Sequence, residues 1–190
     1  MFKNGWKKKL TEYVKRKKKF LIAAVAVIAV FTFLNLPARK TKGSINGANT
    51  VTASVDKSFE FPGLDNSGKP VKNIIKFKIN NVEKTDQVLV KDQVFTAKNN
   101  KLFLIVNVDL RNDATVPVNI IPGDLVRLSV GDDRETRYAP DLHNNLVPVS
   151  AIATRADRVG FVIPDTAKKF ILYIGEIEGD KQEVSVNFPS

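Results

Sequence analysis

His143 is the only histidine in the chain, and it lies in the run DLHNNL. Proton-transfer chemistry near neutral pH would centre on it. A hydrolytic triad needs such an imidazole beside a nucleophile and an orienting carboxylate. The neighbours of His143 show no nucleophile-elbow pattern, so it reads as a surface-loop histidine and the chain as no enzyme. There are no cysteines, which removes disulfides, thiolate metal ligands, a thiol nucleophile and the acylated cysteine of lipid-anchored proteins. Zinc asks for three or four ligands, more than one histidine without cysteine supplies. Calcium has two oxygen-rich stretches to consider, Asp132-Asp133 with Glu135 and Asp65-Asn66-Ser67-Gly68. Neither follows an EF-hand register, and acidic residues in turns commonly act as turn formers. No Gly-rich phosphate loop is present, and Gly123, Gly131 and Gly160 stand alone. The sequence implies no cofactor.

Two stretches could bind a partner. The first is the connection 131–153, which holds Arg134, Arg137, Tyr138, His143 and Asn144. A connection that long commonly carries function. The second, VLVKDQVF at 88–95, reads as an edge strand apolar enough to accept a partner strand. The simpler readings are that Tyr138 packs as a strand residue and that Lys91-Asp92 guards the edge.

The elements that would position these residues are strands. From about Val51, short apolar runs alternate with period two between turn residues, and no helical period continues beyond residue 36. Ile75, Phe77 and Ile79 share one face, and Val82 breaks the parity, which predicts a bulge near Asn80-Asn81. The run 101–111 places Leu102, Leu104, Val106, Val108 and Leu110 on one face. Its other face carries Phe103, Ile105, Asn107 and Asp109, so it reads as a central strand partly covered on both sides. Further strands are expected at 116–121, 125–130, 158–163, 169–174 and 183–188. Strands at this spacing suit a sandwich.

The formal charge of +10 is not on these strands. Residues 1–19 hold nine Lys/Arg against Glu12, and residues 39–42 add three more. From Gly43 onward 18 basic residues face 19 acidic ones, a net of −1. A nucleic-acid-binding domain would carry its charge on the folded part, so no nucleic acid is expected as a partner. Between the basic clusters lies FLIAAVAVIAVFTFLNL, bounded by Phe20 and Leu36 and free of charge. As a helix it rises about 25 Å, and snorkelling by Lys19 and Arg39 closes the gap to the ~30 Å hydrocarbon core. The basic excess precedes the segment, which puts the N-terminus in the cytoplasm and the C-terminal body outside.

A cleaved signal peptide is the competing reading. The long n-region and the weak site at Leu36-Pro37-Ala38 favour an uncleaved anchor. Phe2, Trp6, Leu10 and Val14 recur every four residues among the lysines. They suit either a short helix on an anionic leaflet or a plain topogenic cluster. Residues 38–50 read as a flexible stalk.

Three stretches in order, FLIVNVDLRNDATVPVNIIPGDLVRLSV, RYAP and VGFVIPDTAKKFILYI, resemble a family of bacterial envelope proteins. These are the telokin-like, immunoglobulin-like domains that share the fold of the mycobacterial secreted immunoprotective antigen. The matching features are the long strand ending at Asn112-Asp113, then Pro117-Val118-Asn119-Ile120, then Tyr138, then Gly160 to Pro164. IIKFKINNVEK is similar to the family's first core strand, and the resemblance spans about 51–188. A membrane segment or lipid anchor ahead of the domain is usual in that family, which supplies no catalytic residues. Where the family often has a Pro-Gly turn, this chain has Ala153-Thr154-Arg155-Ala156-Asp157, which suggests a longer hairpin there.

The combined expectation is an all-β protein, an immunoglobulin-like β-sandwich preceded by one N-terminal transmembrane helix. Residues 1–19 form a basic cytoplasmic stub, 20–36 the signal anchor, 37–50 the stalk and 51–190 the sandwich. The expected role is a non-catalytic module, single-pass in the cell membrane, or secreted if cleaved. It would meet a protein, peptide or cell-wall component outside. The alternative is an envelope sensor of a small molecule or calcium.

Overall fold

The computed structural model describes residues 48–189, where the period-two patterning becomes eleven strands and one short helix. They run β1 (Thr50–Leu64), β2 (Pro70–Thr85), β3 (Gln87–Val90), β4 (Gln93–Thr96), β5 (Lys101–Asn112) and β6 (Val118–Ile120). Then come α1 (Pro122–Leu125), β7 (Val126–Val130), β8 (Val147–Val149), β9 (Ala153–Pro164), β10 (Phe170–Ile174) and β11 (Gln182–Val186). The stub at 1–19, the apolar segment 20–36 and the stalk up to residue 47 lie outside the described residues. Among the described residues no helix is long and apolar enough to cross a membrane.

All strand pairings are antiparallel, in a six-stranded sheet β8-β6-β1-β2-β5-β9, a three-stranded sheet β11-β10-β7 and the hairpin β3-β4. Within the large sheet, β1, β2 and β5 are laid down in succession and β6 returns beside β1, which is a Greek key. The core is shared by the two larger sheets. Phe77, Leu104, Val106, Leu110 and Phe161 of one pack in the same cluster as Leu128, Phe170, Leu172 and Val184 of the other, as in a β-sandwich. Phe61 meets Phe77 edge to face at 5.8 Å, an arrangement the ring quadrupole favours.

β5 carries the two faces read from its sequence. Leu104, Val106, Val108 and Leu110 enter the main core, while Phe103 and Ile105 pack on the other side with Val88 of β3. Hairpin β3–β4 is thus an insertion in the β2–β5 connection that folds back over the outer face of the sheet. The bulge lies where the parity break places it, with the β2–β5 register slipping between Ile79 and Asn81.

Asn112 ends β5 fully buried. Its amide nitrogen faces the carbonyls of Val116, Val149 and Ser150 at 2.9, 3.2 and 3.1 Å, and its side-chain oxygen accepts from the Ala114 amide at 2.9 Å. One side chain therefore joins β5, the following turn and the end of β8.

Four local expectations are corrected. The stretch 88–95 is a hairpin and not a single edge strand. Lys91 and Asp92 both have positive φ and form its two-residue turn, which buries Val88. The connection 131–153 is not one long loop, because it contains β8 and is pinned twice, Tyr138 to Leu128 and Leu142 to Gly160. Residues 153–157 are the first part of β9, paired with β5, and do not lengthen a hairpin. One helical turn, α1, does follow residue 36. Pro122 starts it, where the missing N–H of proline is harmless.

Candidate functional site

The residues singled out in 131–153 divide between two places. Arg134, Arg137 and Tyr138 lie over the small sheet, whereas His143 and Asn144 lie beside β9.

Over the small sheet, Phe170, Leu172 and Ile174 of β10 point into the core, which turns Ile171 and Tyr173 outward. Tyr173 is nonetheless only 1% exposed, because the segment 131–138 lies across that face. The Arg137 guanidinium stacks 4.3 Å from the Tyr173 ring centre, and Arg134 reaches Glu183 of β11 at 3.3 Å. Tyr138 exchanges both backbone hydrogen bonds with Leu128 of β7, and its side chain stays exposed. The Ser129 hydroxyl donates to the Asp133 carbonyl. These contacts make the segment a strap on the sheet.

The acidic residues weighed for calcium are engaged in the same local way. Asp133 accepts from the Glu135 and Thr136 amides at 2.9 and 3.0 Å, and hydrogen bonds from Thr136 above all hold its carboxyl below the usual range. Asp132 pairs with Lys169 at 2.7 Å. Asp65 closes the β1–β2 turn, accepting from the Ser67 hydroxyl at 2.7 Å and from the Ser67 and Lys69 amides. Among the described residues no cluster of His, Asp and Glu converges as a metal site.

Beside β9 the chain forms a cleft of ≈ 800 Å³. One wall is the hairpin, Val88 to Lys91. The floor is the outer face of β5 with Ile105, Asn107 and Asp109, and the far wall is 141–145 with Arg155 to Arg158 of β9. Leu142 and Gly160 exchange backbone hydrogen bonds, and the Asp141 carboxylate accepts from the Val162 amide at 2.7 Å. The segment thereby covers part of the free edge of β9. A β-carbon on Gly123 would stand 2.6 Å from His143 Cγ, and one on Gly160 would stand 2.9 Å from Ile105 Cδ1, so the first would displace the imidazole ring and the second only the tip of a flexible side chain.

His143 Nδ1 lies 3.3 Å from the Asn144 carbonyl. The Asn144 amide donates to Asp157 Oδ1 at 2.6 Å. Asp157 is 9% exposed, and its Oδ2 has no hydrogen-bond partner among the described residues. Arg158 donates to the Leu89 carbonyl at 3.1 Å and ties the hairpin to β9, while Arg155 donates to the Pro148 carbonyl at 2.9 Å. On the floor Asn107 donates to Asn81 and Glu83 at 2.7 and 2.9 Å.

No Ser, Thr, Cys or Tyr lines this cleft. Its polar groups can hold a ligand by hydrogen bonds, and they offer no hydroxyl or thiol for His143 to activate. Sequence reading missed Asp109, Asp157 and Arg158. Asp157 did carry a signal, since it occupies the parity of Val159, Phe161 and Ile163 on β9, where an apolar residue belongs.

No protein-family model matches the chain, and no curated protein is similar to it in sequence. It is similar to the crystal structure of a conserved hypothetical protein from Bacillus anthracis, with 14% identity and a TM-score of 0.46, covering 71% of this chain and 96% of that one. It is also similar to an uncharacterized β-sandwich protein from Clostridium difficile 630, with 15% identity and a TM-score of 0.46, covering 70% of this chain and 91% of that one.

Proposed function

We propose that the chain is a non-catalytic binding module of the cell envelope. In this reading a helix at 20–36 anchors it with the N-terminus in the cytoplasm, and the sandwich works outside, on a protein, peptide or cell-wall component. The cleft beside β9 carries the binding half of the reading, because its lining is rich in hydrogen-bonding side chains. The placement is supported by nine basic residues ahead of the apolar segment and by a body from residue 43 with a net charge of −1. The Greek key and the two packed antiparallel sheets support reading the domain as immunoglobulin-like and telokin-like. Calcium sensing gains no support, since Asp65 and Asp133 are held within their own turns and Asp132 pairs with Lys169.

Protease added to spheroplasts that carry the full chain tests the placement. The body beyond the stalk should be digested from outside while the first nineteen residues survive. A protected body would overturn it.

A further inference from the structure

We infer that the cleft bounded by the β3–β4 hairpin, β5, β9 and residues 141–145 is a saccharide site that takes a short, neutral, polyhydroxylated chain. This deepens the envelope-module reading and rests on it for the source of the ligand. The cleft of ≈ 800 Å³ falls in the range of small-ligand sites, ~300–1,000 Å³.

Its charges balance, with the carboxylates of Asp109 and Asp141 set against Lys91 and Arg158. A phosphorylated or polycationic ligand would leave one set opposed by like charge, whereas a neutral ligand meets no such penalty. The remaining polar wall is made of amides, Asn80, Asn107, Asn144 and Asn145, each both donor and acceptor. A sugar hydroxyl has the same double character, so successive hydroxyls can satisfy carboxylates, guanidinium groups and amides in turn. Val90 and Leu142, half-buried against Val88 and Ile105, add an aliphatic strip suited to the C–H face of a ring.

An extended peptide is the less suitable occupant. It would need the edge amides of β9, and Gly160 and Val162 are already bonded to residues 141–142.

The test is calorimetric titration of the purified full chain in detergent with a tetramer of N-acetylglucosamine, and in parallel with a neutral tetrapeptide. The sugar should bind and the peptide should not. Asp109→Ala and Asn145→Ala should each weaken sugar binding, by roughly tenfold for the carboxylate, with unchanged unfolding midpoints. Retention on cell-wall sacculi stripped of stem peptides would mark the wall glycan as the source, and soluble binding alone would mark a free saccharide; either supports the site. Peptide binding without sugar binding, no binding of either, or sugar binding indifferent to both substitutions overturns it. Because the titration uses purified protein, it is independent of topology. A body protected in spheroplasts would overturn the envelope placement and leave a measured sugar affinity standing.

Discussion

Replacing Asn112 by alanine should destabilise the fold by about 3–4 kcal/mol. The substitution deprives the carbonyls of Val116, Val149 and Ser150 of their donor and the Ala114 amide of its acceptor. The bond to Val149 is fully buried and the others are partly so. Taking ~2 kcal/mol for the buried group and ~1 or less for each of the others gives the sum, with a discount because neighbouring losses do not add. That is a large share of a typical ~5–15 kcal/mol total, and it corresponds to a fall of roughly 12–15 °C in midpoint for a domain of this size. Urea titration followed by tryptophan-independent circular dichroism measures it, and the transition should shift with its slope unchanged.

Asn112→Asp sharpens the test. The shape is kept, but a carboxylate now faces three carbonyl oxygens, so its folded pKa should be raised above the unfolded value. Stability of this variant should therefore be greatest below about pH 4 and fall as pH rises through the folded pKa. An alanine variant that loses less than about 1 kcal/mol, or an aspartate variant with no added pH dependence, would show that solvent replaces the asparagine and that the junction it forms is incidental.

Other expectations concern the turns and the cleft. Hydrogen bonds, first of all from the Ser67 side chain, hold the Asp65 carboxyl below its ordinary 3.8. The stability it contributes should be present above that pH and be lost as pH falls below it, and Asp65→Asn should flatten that part of a pH-dependent melting series. Val88→Asp should release the hairpin from Phe103 and Ile105; limited proteolysis should then cut between Thr85 and Ala97, and resistance equal to the parent would contradict the packing. Gly123→Ala should lower stability by about 1–3 kcal/mol through its clash with the His143 ring, and His143→Ala in the same chain should recover most of it. Purely additive losses would argue against that contact.

The sequence was most informative where one strand has two distinct faces. The alternation of β5 foretold which residues enter the core and that Phe103 and Ile105 would be covered from the other side, and the parity break at Val82 located the bulge. It was least informative where geometry depends on a few backbone angles. Lys91-Asp92 lacks the glycine that marks a turn with two positive φ values, so the hairpin looked like one strand. β8 is three residues long with Pro148 at its centre, too short to show a period. The candidate residues fell apart for a related reason. Tyr138 is fastened to β7 and Leu142 to β9, so neighbours in sequence finish on different sheets. The cleft came from strands far apart in the chain, as with Asn107 opposite Arg158, and alternation does not reveal which strands will adjoin.

The inserted hairpin also affects the order in which the chain can assemble. Its two strands meet across a two-residue turn, a closure on the scale of ~1–10 μs. β5 must wait for β9, whose ladder joins Lys101 to Pro164, and such distant closures are slow. In the interval β3 shelters Phe103 and Ile105 from one side. The opposite face of β5, from Leu104 to Leu110, stays uncovered, and the edge that β9 will pair stays open to mispairing, until the later strands arrive.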